Sequence, residues 1–133
     1  MNGEEILKVY VKITESIKVE GNRGSVNMIQ FTGEAKGPYF NGEIRSGAVD
    51  WQRIDEQEKI FLSARYILEG TDTEGNSCYL AIENNGTSDE KGVVRTKPCI
   101  VTNSKALAWM EHTEFEGNIG TEGDLVVIRI LRY

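Results

Sequence analysis

Residues 7–13 have the sequence Leu7-Lys8-Val9-Tyr10-Val11-Lys12-Ile13, with an apolar side chain at every second position. Successive side chains of a β-strand point to opposite faces, so this alternation predicts a strand with one buried face. Residues 125–131, Leu-Val-Val-Ile-Arg-Ile-Leu, are apolar at every position except Arg129. That composition is typical of a strand covered on both faces. Both ends of the chain therefore predict β-structure.

The rest of the chain repeats this pattern. Strands are predicted near residues 26–35, 39–46, 49–55, 59–71, 77–84, 93–102 and 112–118. Clusters of Gly, Asn and Asp predict turns at residues 20–24, 41–42, 72–76 and 84–86. The one helical candidate is about one turn over Ser104–Met110, with Ser104 as its cap. Many short strands and little helix predict an all-β chain, a barrel or a sandwich, in a single domain over residues 1–133.

Composition excludes several classes of function. The chain has 133 residues, 39% of them hydrophobic and 27% charged, and a net charge of −6. A protein that binds the phosphate backbone needs clustered Lys and Arg, so we expect no nucleic-acid partner. No apolar run approaches the roughly 18 residues of a membrane span, and the first residues lack the features of a secretory signal. We therefore predict a cytoplasmic protein with no membrane partner.

The motifs of common cofactor and metal sites are missing from the sequence. Neither of the glycine-rich phosphate-binding patterns occurs. Zinc sites need grouped His and Cys ligands, whereas the chain has one histidine, His112, and two separated cysteines, Cys78 and Cys99. We predict no metal and no cofactor.

Polar residues that interrupt otherwise apolar strands indicate a candidate site. In a closed barrel alternate residues point inward, so such interruptions can place polar groups in the interior. The predicted ligand-binding residues are Asp50, Trp51, Arg65, Tyr66, Arg95, Thr96 and Trp109. Two other interpretations stay open: Asp50 pairs with Arg65 or Arg95 only to hold the strands in register, and the two tryptophans only fill the core.

Four motifs in order resemble a known family. They are Gly37-Pro38 with Gly42 and Gly47-Ala48-Val49-Asp50-Trp51, then Arg65-Tyr66 with Thr71-Asp72 and Gly75, then Arg95-Thr96-Lys97-Pro98, and finally Trp109 with Phe115-Glu116-Gly117. This set is similar to the signature of domain of unknown function 3237, a family of compact β-barrels. Three departures are Glu111, where the family usually has Asn, Val93-Val94, where it usually has an aromatic pair before the arginine, and the insertion of Glu74 in the Asp-Gly turn.

The resemblance implies a calycin-like barrel, similar to lipocalins and allene oxide cyclases, with about 8–10 antiparallel strands and an internal cavity. It implies no established reaction. Our first hypothesis is a barrel that binds an apolar or aromatic ligand carrying an anionic or carbonyl group. In it Arg65 and Arg95 are donors, and Asp50 orients one of them. The alternative is a cofactor-free isomerase, cyclase or lyase in which Asp50 transfers protons and Arg65 or Tyr66 stabilises negative charge. A third interpretation makes the barrel a subunit of a homo-oligomer.

Overall fold

The computed structural model describes residues 3–89 and 91–133. Nine strands and one 3-10 helix follow one another along these residues. They are β1 (Glu4–Gly21), β2 (Gly24–Lys36), β3 (Asn41–Ile44), β4 (Val49–Ile54), β5 (Ile60–Thr71), β6 (Ser77–Ser88), β7 (Val94–Thr102), the 3-10 helix (Ala108–His112), β8 (Phe115–Glu122) and β9 (Leu125–Arg132). The prediction of an all-β fold is confirmed. No helix within the described residues is long and apolar enough to cross a membrane.

The strands form one antiparallel sheet that closes on itself. β1 pairs with β2 on one side and with β9 on the other, and the pairing continues through β8, β7 and β6 to β5. β3 and β4 both lie between β5 and β2. β3 and β4 follow each other along the same place in the barrel wall, with residues 45–48 between them. The nine strands therefore form a barrel with eight strand positions. The predicted antiparallel barrel is confirmed.

The two ends of the barrel differ because their connections differ. At one end, residues 103–114 connect β7 to β8 and bury Leu107 and Met110 in the same apolar cluster as Phe40. We call this the closed end. At the other end the connections are short, and two of them, residues 22–23 and 123–124, are two-residue turns. We call this the open end.

The apolar core fills the half of the interior nearer the closed end. Leu68 lies opposite Leu80 and Leu7 lies opposite Ile130, and none of the four is exposed. Burying a side chain of this kind contributes about 2 kcal/mol. The alternation of residues 7–13 arises from this core, since Leu7 and its alternate neighbours point inward while the lysines face water.

Two predicted turns and the predicted helix are corrected by the structure. Residues 41–42 lie within β3 and residues 84–86 lie within β6, so the chain does not turn at either place. The helix is a 3-10 turn that begins at Ala108 rather than an α-helical turn from Ser104. Ser104 still helps to start the turn, because its Oγ accepts a hydrogen bond from the N–H of Leu107 at 3.2 Å.

Among the described strands, β7 and β8 have the fewest paired residues of any two neighbours in the barrel wall. β7 and β8 share a single bridge, between Thr96 and Gly117, whereas β6 and β7 are paired over nine residues. We call the boundary between β7 and β8 the seam. A groove of about 750 Å³ follows the seam, and its lining includes the inward-facing residues Thr96, Pro98 and Ile100.

Candidate functional site

Polar side chains cluster inside the barrel, on the open-end side of the apolar core. Asp50, Ala64, Asn84 and Pro98 lie opposite one another on β4, β5, β6 and β7, so they share one level of the interior. Thr96 lies one level nearer the open end, and Tyr66 lies one level nearer the closed end. The small side chain of Ala64 separates Asp50 from Asn84. We call Asp50, Tyr66, Asn84 and Thr96 the inner polar cluster.

The inner polar cluster contains hydrogen-bonding atoms without protein partners. Within the described residues, no protein group bonds to the buried atoms Asp50 Oδ1, Tyr66 Oη, Asn84 Oδ1 or Thr96 Oγ1. Tyr66, Asn84 and Thr96 are exposed by only 4%, 1% and 0%. An unpaired polar group at such depth costs about 1–3 kcal/mol. Four of them in one place therefore require an explanation beyond stability.

Glycines on both sides of Thr96 allow the side chains to converge. A Cβ at Gly117 would overlap Thr96 Oγ1 and lie 3.6 Å from Asn84 Nδ2. A Cβ at Gly86 would lie 2.7 Å from Thr96 Cγ2. Because any larger residue at either position would displace Thr96, these glycines set the shape of the inner polar cluster.

Asp50 and Tyr66 carry the two ionisable groups of the inner polar cluster. Burial raises the pKa of Asp50, and the hydrogen bond that Gln52 Nε2 donates to Asp50 Oδ2 at 2.8 Å opposes that change only in part. Burial also raises the pKa of Tyr66, and the charge of Asp50 adds to the effect. Tyr66 therefore keeps its proton and can donate it in a hydrogen bond.

Replacing Asp50 tests this environment. A carboxyl group whose pKa is raised by folding weakens the native state as the pH rises through that pKa. Asp50→Asn should therefore raise the free energy of unfolding at pH 7 by about 1 kcal/mol, and the gain should shrink as the pH falls toward 4. Urea unfolding of the ligand-free protein at both pH values measures it.

Asp72 provides a control of opposite sign. The hydroxyl of Ser104 donates a hydrogen bond to Asp72 Oδ2 at 2.7 Å, and this bond lowers the pKa of Asp72. Its charged form therefore stabilises the protein above the unfolded pKa, and Asp72→Asn should lower stability at pH 7. If Asp50→Asn behaves in the same way, Asp50 does not lie in the environment described here.

Apolar side chains that face the interior lie beside the inner polar cluster. Ile119 and Ile13 point inward because they lie opposite the buried residues Ile128 and Phe31. They are nevertheless 41% and 48% exposed, so solvent reaches these inward-facing side chains. We call Ile13, Ile119 and the half-buried Ile29 the collar. Phe31 also packs edge-on against Tyr66, with 5.5 Å between ring centres.

The predicted residues do not all reach this interior. Arg65 and Arg95 lie on the outer face, where they pair with Glu83 at 3.2 Å and Glu116 at 3.7 Å. The two guanidinium groups therefore do not share the interior with Asp50, and Asp50 orients neither of them. The opposing interpretation is also wrong, because Asp50 pairs with neither arginine. Any part of the two arginines in ligand binding stays a prediction.

The two predicted tryptophans also lie away from the inner polar cluster. Trp51 is 47% exposed on the outer face of β4. Trp109 lies at the closed end, where its ring packs against Tyr39 and Phe115. The guanidinium of Arg132 lies 4.5 Å from the centre of the Trp109 ring. Trp109 therefore belongs to the packing of the closed end.

Asn84 and Gln52 are part of the site and were missed by the sequence prediction. Asn84 belongs to an Asn-Asn-Gly sequence that is typical of a turn, which conceals its place in β6. Gln52 follows Asp50 by two residues, so strand alternation places both side chains on the same face. That spacing was the available signal for Gln52.

Comparisons with known proteins find a curated relative that matches part of the chain. A curated protein from Clostridium acetobutylicum, UPF0311 protein CA_C3321, is 33% identical over 91 residues, which is 65% of this chain and 54% of the relative. The chain thus matches about half the length of that relative.

Solved structures share the fold along almost the whole chain. The structure of a protein with unknown function from C. acetobutylicum is similar with a TM-score of 0.82 and 26% identity, covering 99% of both chains. That of an enzyme from Penicillium herquei is similar with a TM-score of 0.71 and 13% identity, covering 97% and 93%. The family described as "Protein of unknown function (DUF3237)" matches residues 2–133, and the chain belongs to that family.

Proposed function

We propose that the protein binds a small molecule inside the barrel, with a polar group of the ligand on the inner polar cluster and its apolar body against the collar. The proposal rests on one observation: four buried oxygens of the inner polar cluster have no protein partner. A ligand that bonds to them would recover free energy that folding leaves unused. The arrangement, a few convergent polar groups inside apolar walls, is typical of small-molecule sites.

The structure changes the expected chemistry of that ligand. The anionic group of the sequence-based hypothesis depended on Arg65 and Arg95, which lie on the outer face. The inner polar cluster instead holds a carboxyl group, Asp50, which would repel an anion. Groups that can donate to oxygen, such as hydroxyl and amino groups, fit the four free atoms.

Native mass spectrometry of freshly purified protein tests the proposal. We expect a reproducible mass excess of a few hundred daltons that disappears on denaturation. Asn84→Leu should remove the excess, because it replaces a buried amide of the inner polar cluster by an apolar side chain of similar size. Asn85→Leu is the matched control, since the neighbouring amide is exposed. The control should keep the excess.

Two results would contradict the proposal. One is a clean mass for the unmodified protein, both as purified and after incubation with a library of small metabolites. The other is an excess that survives in Asn84→Leu, because the bound molecule would then lie elsewhere. Folding of each variant is checked by circular dichroism, so that a lost ligand is distinguished from a lost fold.

Proton-transfer catalysis in the same place is a second candidate. It is favoured by the raised pKa of Asp50, which brings a carboxyl group closer to the working range of a general acid or base. Tyr66 is near enough for the charge of Asp50 to affect its own pKa. The Penicillium herquei protein is described as an enzyme, and at 13% identity this likeness supports the fold alone. Turnover of the extracted ligand would distinguish catalysis from binding.

A further inference from the structure

Asp50 is a half-buried residue whose carboxyl group has no positive partner among the described residues. Its Oδ1 atom is fully covered, and no Lys or Arg of residues 3–89 and 91–133 lies within 4.0 Å of it. Gln52 supplies its one side-chain hydrogen bond. Buried carboxylates are ordinarily paired with a cation, because the attraction offsets part of the cost of leaving water. The inner polar cluster lacks that cation.

The lysine and arginine side chains of the neighbouring strands do not supply a cation to Asp50. Lys18 lies opposite Asn27, which in turn lies opposite Gln52, so Lys18 is the cation on this face of the β1–β2 hairpin. Its ammonium pairs with Glu20 at 3.1 Å. On β5, Arg65 alternates with the inward-facing Ala64 and Tyr66 and so points outward. On β7, Arg95 and Lys97 flank the inward-facing Thr96 in the same way.

The free atoms of the inner polar cluster are all oxygens. When Asp50 is ionised, its Oδ1 atom can accept hydrogen bonds but not donate them, and the same is always true of Asn84 Oδ1. The hydroxyl groups of Tyr66 and Thr96 can accept hydrogen bonds as well as donate them. A primary ammonium group carries three N–H donors and one positive charge. Such a group can donate to as many as three acceptors at once, and it supplies the missing charge.

Resting on the proposed function, we infer that the ligand is an amine, with its protonated nitrogen against Asp50 and its apolar body against the collar. A carboxylic acid would meet the charge of Asp50. A neutral alcohol would satisfy some of the oxygens and leave the carboxylate unpaired. The order of affinity that follows is amine first, alcohol second and acid last.

Calorimetry at pH 7.5 with three probes of one ring size tests the inference: benzylamine, benzyl alcohol and benzoate. Benzylamine should bind at least about ten-fold more tightly than benzyl alcohol, since hydrogen bonds to charged groups exceed neutral ones by that order. Benzoate should not bind. Asp50→Asn should reduce the preference for benzylamine over benzyl alcohol to about two-fold or less.

Three controls separate the inner polar cluster from the acidic surface. Glu43→Gln removes an exposed carboxylate of β3 and should leave the preference for benzylamine unchanged. Lys18→Met should also leave it unchanged, because Lys18 is paired with Glu20. Potassium chloride at 0.5 M should weaken surface binding far more than binding in the interior.

Each outcome decides a different claim. Equal affinity for benzylamine and benzyl alcohol, or a preference that survives in Asp50→Asn, overturns the amine and leaves the binding site in place. No heat with benzylamine at 10 mM also overturns the amine. The binding site itself fails if native mass spectrometry finds no ligand, or finds one that is retained in Asn84→Leu.

Discussion

Gly33→Ala is expected to lower the free energy of unfolding by about 3 kcal/mol or more. This is the largest loss of stability that we predict for the addition of one methyl group. Gly33 lies on β2 opposite Val11 and has φ of 145°, a conformation that side chains rarely adopt. A Cβ there would also overlap the carbonyl oxygen of Tyr10. Because that oxygen belongs to the paired backbone of β1, it cannot move without disturbing the β1–β2 pairing.

Gly47 separates the two causes. It has φ of 99°, and a Cβ on it would meet nothing within 4 Å. Gly47→Ala therefore introduces the strain without the overlap, and about 1 kcal/mol should be lost. Urea unfolding followed by circular dichroism compares the two variants. Equal losses would show that β1 and β2 are not as close at Gly33 as the structure has them.

The double variant Tyr66→Phe/Thr96→Val is expected to be more stable than the unmodified protein and unable to retain a ligand. Both substitutions keep the shape of the side chain and remove a buried hydroxyl that has no protein partner. Each should raise the free energy of unfolding of the ligand-free protein by about 1 kcal/mol. Increased stability with loss of binding is the pattern of a functional site that strains its fold.

Thr102→Val is the control for that prediction. Its hydroxyl donates a hydrogen bond to the carbonyl oxygen of Tyr79 at 2.8 Å, so the same substitution should there cost about 1 kcal/mol. Unfolding of all three proteins after removal of any bound ligand gives the comparison. If the double variant loses stability as Thr102→Val does, the two inner hydroxyls have partners and the proposed site loses its basis.

Strand alternation predicted the fold well and the site only in part. The period of two is a direct consequence of burying one face, so residues 7–13 indicated their structure without knowledge of their neighbours. The same period limits the site. Asp50 and Trp51 are adjacent, as are Arg65 and Tyr66, and Arg95 and Thr96. Only one member of each such pair can face inward.

The choice within each pair depends on register, which arises from contacts between strands distant in sequence. In all three pairs the guanidinium or indole group lies outside, and the carboxyl or hydroxyl group lies inside. Asn84 was lost for a related reason. Its neighbour Gly86 indicated a turn, whereas this glycine is needed because the carbonyl of Arg95 on β7 comes too close for a side chain.

The seam determines where the barrel opens during local fluctuations. A ring of strands opens first where the fewest bonds hold it, and β7 and β8 are joined by one bridge, at Thr96 and Gly117. Thr96 also turns its hydroxyl to the interior. A molecule bonded to that hydroxyl would stabilise the closed seam, because β7 and β8 could not separate there without breaking the new bond. Binding of a ligand in the interior would then make the wall more rigid at the seam. A measurement of either property would report on the other.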